Sequence, residues 1–187
     1  MNIVGLLLAA GSGSRFGSDK LRHALPHGVP IAVQALRHLK AEVSNVVVVV
    51  RPGGEGLFEG EKVVVFPNAE EGMGTSLACA VKAAGEADGY LIALGDMPFV
   101  RRTTIAAVRD ALAAGAPLAA PYFRARRGHP VGLAKRFYKD LSALSGDVGA
   151  KQLIREHERT LVKIPVGDPG VIRDIDTPGD LAPPLRI

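Results

Sequence analysis

Continuous apolar runs of strand length alternate with segments of helical periodicity along most of this chain. The apolar runs are residues 2–9, 46–50, 63–66, 90–94 and 118–120. A strand of a parallel sheet is covered by helices on both faces, so its sequence reads as an unbroken hydrophobic run without in-and-out alternation. We therefore predict five strands that are buried on both faces.

The segments between these runs carry apolar residues at the i, i+3, i+4, i+7 spacing of amphipathic helices. Four helices are marked in this way: the first by Ala32, Ala35, Leu36 and Leu39, the second by Leu77, Ala80, Val81 and Ala84, the third by Ile105, Val108 and Leu112, and the fourth by Phe137, Leu141 and Leu144. Strand–helix alternation predicts an open three-layer α/β fold with a mostly parallel central sheet. Ligands of such sheets bind outside the carboxyl ends of the strands, which directs attention to polar residues that directly follow a strand.

Composition narrows the classes of partner. The 187 residues are about one domain in length, and 47% hydrophobic with 22% charged residues is typical of a globular protein. No apolar stretch reaches the roughly 18 residues of a membrane span, and Cys79 is the sole cysteine, so we expect a cytoplasmic protein with no membrane partner. The net charge of +4 is scattered and there is no Trp, so we expect no nucleic-acid partner.

The first candidate motif, LAAGSGSRFGSDK at 8–20, directly follows the first predicted strand. Small residues at such a position let backbone N–H groups approach an anion closely and cradle phosphate oxygens. Arg15 and Lys20 add two cations to the same loop, an arrangement suited to phosphate. The spacing matches neither the Walker A loop nor the Rossmann GxGxxG loop, and a plain turn is the alternative reading. We predict phosphate binding here.

Two further motifs carry carboxylates. Asp96, in GDMP at 95–98, follows a strand and is placed to hold a hard cation, although Asp and Pro are also ordinary turn residues. Asp174 and Asp176 flank Ile175 and so share one face of an extended segment, from which one of them could join Asp96 on a metal. The alternative is that Asp176 or Thr177 caps a short helix whose first turn contains Pro178, and both readings can hold for one segment.

Taken in order, these motifs resemble those of the molybdenum-cofactor nucleotidyltransferases, above all the molybdenum cofactor cytidylyltransferase branch. The series is LAAGSGSRFGSDK (8–20), Asn68 with GMGTS (72–76), GDMP (95–98), RGHP (127–130), SGDVGA (145–150) and DIDTPGDL (174–181). The resemblance extends from Leu6 to Leu181. It implies a Rossmann-like nucleotidyltransferase fold, one nucleotidyltransferase domain over residues 1–187, and transfer of a nucleotide monophosphate to the phosphate of molybdopterin with release of pyrophosphate. A nucleoside triphosphate, Mg²⁺, a molybdopterin-type acceptor and a client molybdoenzyme are the implied partners.

The resemblance also assigns roles to residues at matching positions. The implied base and phosphate contacts are Leu8, Ala9, Ala10, Gly11 and Ser12; the triphosphate and catalytic contacts are Arg15, Lys20 and Asp96; the base or ribose contacts are Asn68, Gly72 and Ser76; the magnesium ligands are Asp96 and Asp176; and the acceptor contacts are His129, Asp147 and Lys151. The cytidylyl branch begins Ala-Ala-Gly, as at residues 9–11, where the guanylyl branch has Ala-Gly-Gly. CTP is therefore the expected nucleotide.

Two alternatives stay open from the sequence. A nucleotidyltransferase of the same fold that acts on a sugar or polyol phosphate would use the same first loop and the same GDMP motif. A non-catalytic chaperone that holds the molybdenum cofactor would have no need of Lys20 and Asp96. Release of pyrophosphate from a triphosphate separates the chaperone from both enzymes.

Overall fold

The computed structural model of this chain describes residues 1–11, 16, 19–68 and 71–182. Over these residues eight strands form one sheet: β1 (Ile3–Ala9), β2 (Asn45–Val50), β3 (Lys62–Val65), β4 (Gly89–Leu94), β5 (Leu118–Phe123), β6 (Arg126–Arg127), β7 (Val131–Ala134) and β8 (Leu161–Pro165). The α-helices are α1 (Ile31–Lys40), α2 (Met73–Ala84), α3 (Arg102–Ala113), α4 (Tyr138–Ser142) and α5 (Lys151–Glu156). All five predicted strands are present, as are the first three predicted helices.

The sheet is mixed, with strand order β3-β2-β1-β4-β7-β5-β6 and with β8 also paired to β5. The pairings β1–β2, β1–β4, β2–β3 and β5–β8 are parallel, whereas β4–β7, β5–β7 and β5–β6 are antiparallel. Four of these seven pairings are parallel, so the expected mostly parallel sheet is roughly right, and every antiparallel pairing involves β5 or β7. The sequence analysis did not predict β6, β7 or β8: β6 has two residues, β7 is interrupted by Gly132, and Lys163 interrupts the apolar run of β8.

Alternate residues of the central strands bury opposite faces of the sheet, which explains their unbroken apolar sequences. Leu7 of β1 packs in one core cluster with Leu36 and Leu39 of α1, and Leu6 packs in the other with Leu77 and Val81 of α2. Helices α1 and α3 cover the first face, and α2, α4 and α5 cover the second. The three-layer arrangement expected from the strand–helix alternation is therefore present.

Two details differ from the sequence-based expectation. The run at 63–66 was expected to be buried on both faces, but β3 is an edge strand of the described sheet and Val65 is 43% exposed. The fourth helix was expected to reach Leu144, but α4 ends at Ser142 after a 3-10 turn at Lys135–Phe137. Its three apolar markers are spaced for one helical stripe, yet only the middle one lies within the α-helix.

Glycine brings the ends of β1 and β4 close together. The amide of Gly95 donates to the carbonyl of Leu8 at 2.8 Å, and a Cβ at position 95 would lie only 3.1 Å from the Cβ of Ala9. The loops that follow the two strands therefore start side by side, which places the first motif next to GDMP. Across the described residues, no helix has the length and apolar character needed to cross a bilayer.

Candidate active site

A cavity of about 330 Å³ opens at the carboxyl edge of the sheet, where β1 and β4 end. Its walls come from the two strand ends and the residues after them, the 3-10 turn Lys20–Arg22, the start of α2 and the loop before α5. The lining residues are Leu8, Ala9, Ala10, Gly11, Lys20, Leu21, Gly72, Met73, Ser76, Leu94, Asp96 and Asp147. Eight of the residues that the resemblance assigns to the nucleotide are in this set: Leu8, Ala9, Ala10, Gly11, Lys20, Gly72, Ser76 and Asp96. The first loop, GDMP and GMGTS thus converge on one cavity.

Three further residues were predicted to contact the nucleotide: Ser12, Arg15 and Asn68. Ser12 and Arg15 lie outside the described residues. Asn68 is not among the lining residues, and its side-chain amide donates to the Glu71 carboxylate at 2.7 Å. Ser76 does line the cavity, but its hydroxyl donates to the carbonyl of Gly72 at 3.2 Å, so that hydrogen is already used within α2.

A second cavity of about 250 Å³ adjoins the first. The three predicted acceptor residues, His129, Asp147 and Lys151, all line it. Its other walls are mostly apolar, and four of its residues also line the first cavity: Leu8, Met73, Leu94 and Asp147. Arg127 also lines this cavity, although the sequence analysis did not assign it an acceptor contact. Its positive charge within the RGHP motif could have indicated a contact with a phosphate.

Lys20 joins two of the predicted metal ligands. Its ammonium nitrogen lies 3.0 Å from Oδ2 of Asp96 and 3.3 Å from Oδ1 of Asp176, and the residue is only 8% exposed. Burial alone would lower the pKa of Lys20, but the two carboxylates outweigh that effect and raise the pKa above its usual range. Lys20 is therefore a fixed positive charge on the wall of the first cavity.

Asp174 completes an acidic cluster with Asp96 and Asp176. Each of the three residues offers a carboxylate oxygen, and these oxygens lie within 4.8 Å of one another. Carboxylate oxygens are the donors that hard divalent cations prefer, and a cluster this tight fits such an ion. The sequence left open whether Asp174 or Asp176 would join Asp96, and the structure brings both to it.

The segment that carries Asp174 and Asp176 is fixed by a hydrogen bond, by packing and by a cap. The amide of Ile175 donates to the carbonyl of Asp96 at 2.9 Å, and the Ile175 side chain is fully buried beside Phe16, Leu25 and Ile31. The buried side chain between two carboxylates forces both of them towards the same side. Ile175 is thus the residue that orients the pair.

The capping interpretation of this segment is also correct. Thr177 caps the 3-10 helix Pro178–Leu181, and the Asp180 carboxylate accepts hydrogen bonds of 2.8 Å from both the amide and the hydroxyl of Thr177. Those bonds hold the pKa of Asp180 below its usual value. The short helix ends the extended segment directly after Asp176. The backbone of Asp176 is therefore held by Ile175 on its N-terminal side and by the capped helix on its C-terminal side.

The imidazole of His129 lines the second cavity, in surroundings that favour its neutral form. Burial lowers the pKa of its imidazole, because the charged ring would be poorly solvated there. Its backbone amide donates to the carbonyl of Val171 at 2.9 Å, and Gly128 packs so closely on Val171 that a Cβ would collide with it. The RGHP segment therefore lies directly against the chain that leads to Asp174.

The loop at 145–149 docks onto the first turn of α2. The amide of Gly74 donates to the carbonyl of Gly146 at 2.7 Å, and the amide of Gly146 donates to the hydroxyl of Thr75 at 3.1 Å. Gly72 has a φ of 98°, and any Cβ there would collide with Asp147 and Gly146. A glycine at 72 is therefore required both by its backbone conformation and by this contact, which joins the walls of the two cavities.

Comparison with known proteins identifies the family of the chain. The family described as MobA-like NTP transferase domain matches residues 5–160. The chain is 29% identical over 94% of its length to nicotine blue oxidoreductase of Paenarthrobacter nicotinovorans, and 30% identical over 94% of its length to the purine catabolism protein PucB of Bacillus subtilis. These alignments cover 92% of each relative.

Solved structures agree on the fold. Rv0371c of Mycobacterium tuberculosis superposes with a TM-score of 0.85 at 24% identity, covering 96% of this chain and 95% of its own. A manganese complex of Rv0371c superposes with a TM-score of 0.80 at 21% identity, covering 96% of each chain. A nucleotidyl transferase from Methanothermobacter superposes with a TM-score of 0.77 at 24% identity, covering 95% of this chain and 93% of its own. The described sheet is therefore that of a nucleotidyltransferase fold.

Proposed function

This chain belongs to the family of MobA-like NTP transferase domains, and on that premise we propose that it transfers CMP from CTP to the phosphate of molybdopterin or of the molybdenum cofactor, with release of pyrophosphate. The observation that carries the proposal is the pair of adjoining cavities that share Leu8, Met73, Leu94 and Asp147. A transferase must hold a donor and an acceptor next to each other, and two cavities with a common wall provide that arrangement.

The donor half of the proposal rests on the first cavity. Ala10 and Gly11 come directly after β1, where small residues leave room for phosphates near the backbone. Lys20 supplies a buried positive charge on the same wall, and the start of α2 at Met73 adds the positive end of a helix dipole. Together these features favour a polyanion such as a triphosphate over a neutral ligand.

The acidic cluster supports the choice of Mg²⁺ as the cofactor. Asp96 and Asp176 are the proposed ligands, with Asp174 as a third carboxylate within reach. A divalent cation bound there would neutralise charge on the phosphates of the nucleotide. The manganese complex of Rv0371c is consistent with a divalent cation on this fold.

The proposed chemistry is an in-line displacement at the α-phosphorus. A phosphate oxygen of the acceptor forms the new bond to the α-phosphorus, the bond from that phosphorus to the bridging oxygen breaks, and pyrophosphate leaves with that oxygen. Such transfers depend mainly on positioning and on stabilisation of charge. Lys20 and Arg15 are the proposed partners of the triphosphate, and no protein nucleophile is required.

The acceptor half rests on the second cavity. Its apolar walls, which include Ile92 and Ile154, suit a flat ring system, and the cationic side chains of Arg127 and Lys151 suit a phosphate. His129, as a neutral imidazole, suits hydrogen bonding to the ring better than charge pairing with the phosphate. We propose that the cytidylylated product then passes to a client molybdoenzyme.

The decisive experiment supplies molybdopterin, Mg²⁺ and each of the four nucleoside triphosphates in turn and measures pyrophosphate. We expect pyrophosphate with CTP, and none from the Asp96→Asn variant. If pyrophosphate forms only when a sugar phosphate is supplied in place of molybdopterin, the acceptor is a sugar phosphate and the proposed acceptor is wrong. Binding of molybdopterin with no pyrophosphate from any triphosphate would identify a carrier instead of a transferase.

A further inference from the structure

Asp168 is a buried carboxylate outside both cavities. It is 2% exposed, which is unusual for an ionisable side chain, and its two oxygens accept several hydrogen bonds. Oδ2 accepts from the amide of Arg101 at 2.8 Å and from the hydroxyl of Thr104 at 2.7 Å, while Oδ1 accepts from the amide of Gly170 at 3.0 Å. A buried group with this many donors is specifically built into the fold.

These bonds join two segments that are distant in sequence. Arg101 and Thr104 belong to the start of α3, which follows the GDMP loop. The Arg101 side chain makes no capping hydrogen bond there, and the Asp168 carboxylate accepts from the Arg101 amide and the Thr104 hydroxyl instead. Negative charge at a helix N-terminus is also favoured by the helix dipole. Gly170 belongs to the 3-10 turn Pro169–Ile172, which leads directly to Asp174.

The same two segments meet again at the acidic cluster. The Ile175 amide donates to the Asp96 carbonyl at 2.9 Å, at the far end of the segment that begins with the bond between Asp168 and Gly170. Between these two ends, Gly170 packs against the carbonyl of Phe99 so closely that any Cβ would collide with it. Residues 168–175 are therefore held against residues 96–104 at both ends and in the middle.

We infer that Asp168 is a positioning residue for the cation site, which sets the placement of Asp174 and Asp176 relative to Asp96. The inference rests on the proposed function, because it takes the three carboxylates to be cation ligands. The oxygens of these carboxylates must converge within a few ångströms, so a small shift of residues 168–175 along the GDMP loop separates the ligands. Asp168 touches neither substrate nor cation and acts through the segment it holds.

The test uses Asp168→Asn and Thr104→Val. In the first variant an NH2 group replaces one carboxylate oxygen and faces the backbone amide of either Arg101 or Gly170, so at least one of these two hydrogen bonds is lost. The second variant keeps the shape of residue 104 and removes one donor to Asp168, and it guards against a poorly folded Asp168→Asn. Tyr90→Phe is the control, because it removes a buried hydroxyl that bonds Gly85 and Ala87 at the opposite end of β4.

Three quantities are measured for each protein: the melting temperature, the affinity for Mn²⁺ alone from the EPR signal of unbound Mn²⁺, and the separate kcat and apparent KM for Mg²⁺ in pyrophosphate release. We expect Asp168→Asn to weaken Mn²⁺ binding by about tenfold, the lower end of what loss of a residue supporting metal ligands costs. Thr104→Val should weaken it less. Excess Mg²⁺ should restore most of kcat in both variants, and Tyr90→Phe should lower the melting temperature with unchanged Mn²⁺ affinity.

The outcomes separate this inference from the proposed function. If Asp168→Asn and Thr104→Val lower the melting temperature but bind Mn²⁺ as the wild type does, Asp168 is a structural residue only and the inference is wrong. If Tyr90→Phe weakens Mn²⁺ binding equally, the effect reflects general destabilisation and the inference is again wrong. A folded wild-type protein that does not bind Mn²⁺ at all would instead overturn the proposed cation site.

Discussion

The ammonium nitrogen of Lys20 lies 3.0 Å from the carboxylate of Asp96, inside the cluster proposed to hold a divalent cation. It also contacts Asp176 at 3.3 Å, so one buried positive charge serves two of the three carboxylates. In the proposed complex with nucleotide, the carboxylates and the triphosphate therefore compete for the ammonium group of Lys20.

Lys20→Met is expected to reduce turnover and to strengthen the binding of Mn²⁺ alone. The ammonium repels a cation and occupies carboxylate oxygens, so its removal should favour Mn²⁺, whereas the triphosphate loses a charge-assisted contact worth about 1.5–3 kcal/mol. Kinetics of pyrophosphate release and Mn²⁺ titration measure the two effects. Weaker Mn²⁺ binding in Lys20→Met would show that Lys20 supports the cluster and does not compete with the cation.

Arg15→Ala should reduce kcat/KM by an amount similar to that expected for Lys20→Met, because the triphosphate again loses one charge-assisted contact. A change in kcat/KM below twofold would contradict the proposed role of Arg15.

Asp96→Asn is expected to abolish turnover while the protein stays folded. The amide keeps the shape and one oxygen of the carboxylate but loses the charge that holds a hard cation. Because Asp96 is the closest partner of the buried Lys20, we also expect a modest fall in melting temperature. Asp176→Asn should have a milder effect on turnover, since Asp174 stays within reach of the cation. Retained activity in Asp96→Asn, in proportion to the folded fraction, would make Asp96 a turn residue.

The wild-type protein is expected to use CTP with a higher kcat/KM than GTP, and Ala10→Gly should move that ratio towards GTP. Ala10 lines the first cavity and is 6% exposed, so its methyl group narrows the space beside the first loop. A narrower site favours a pyrimidine over a purine. Competition between the two nucleotides in one reaction measures the ratio directly. A wild-type protein that uses GTP equally well would contradict the base assignment.

Gly72→Ala is expected to impair both folding stability and turnover, and Gly85→Ala supplies a matched control at the other end of α2. Both glycines have positive φ, 98° and 74°, so alanine pays a similar backbone cost at either position. A Cβ at 72 would also collide with Asp147 and Gly146, whereas a Cβ at 85 meets nothing within 4 Å. Melting temperatures and kcat/KM of the two variants isolate the contact between α2 and the 145–149 loop. Equal losses in both variants would show that this contact has no role in activity.

The melting temperature is expected to fall as the pH drops below about 6.5, the ordinary pKa of histidine. Burial lowers the pKa of His129 in the folded state, so the unfolded chain takes up a proton at higher pH than the folded chain does. The stability present above pH 6.5 is therefore lost as the pH falls from there towards the lowered pKa. His129→Gln should flatten this part of the curve. His38, whose pKa is also lowered by burial, stays in the variant and should leave a residual slope.

The sequence was sufficient for the central strands and for placing Ala10, Gly11 and Asp96 directly after β1 and β4, because those features are local. A run of five valines indicates a buried strand, and a Gly/Ser loop with a nearby lysine indicates a phosphate site, each from only a few neighbouring residues. The contact of Lys20 with Asp96 and Asp176 joins residues that are 76 and 156 positions apart, and no local pattern indicates it. Asp168 was missed for the same reason, since its partner Thr104 is 64 positions away. Asn68 was assigned by its place in a motif, whereas its contact is with Glu71.

The spacing of Lys20 and its two partners has a consequence for the order of events during synthesis. A ribosome releases the chain from its N-terminus, and β1 to β4 can pair before the last carboxylate exists. The cluster of Asp96, Asp174 and Asp176 closes only after residue 176 has emerged and its segment has packed against the GDMP loop. The charge of Lys20 can therefore be matched by Asp96 in an early intermediate, and by Asp176 only at the end. If the proposed function is correct, a nascent chain stalled before residue 168 carries Lys20 and Asp96 without Asp174 and Asp176, and we expect it not to turn over nucleotide.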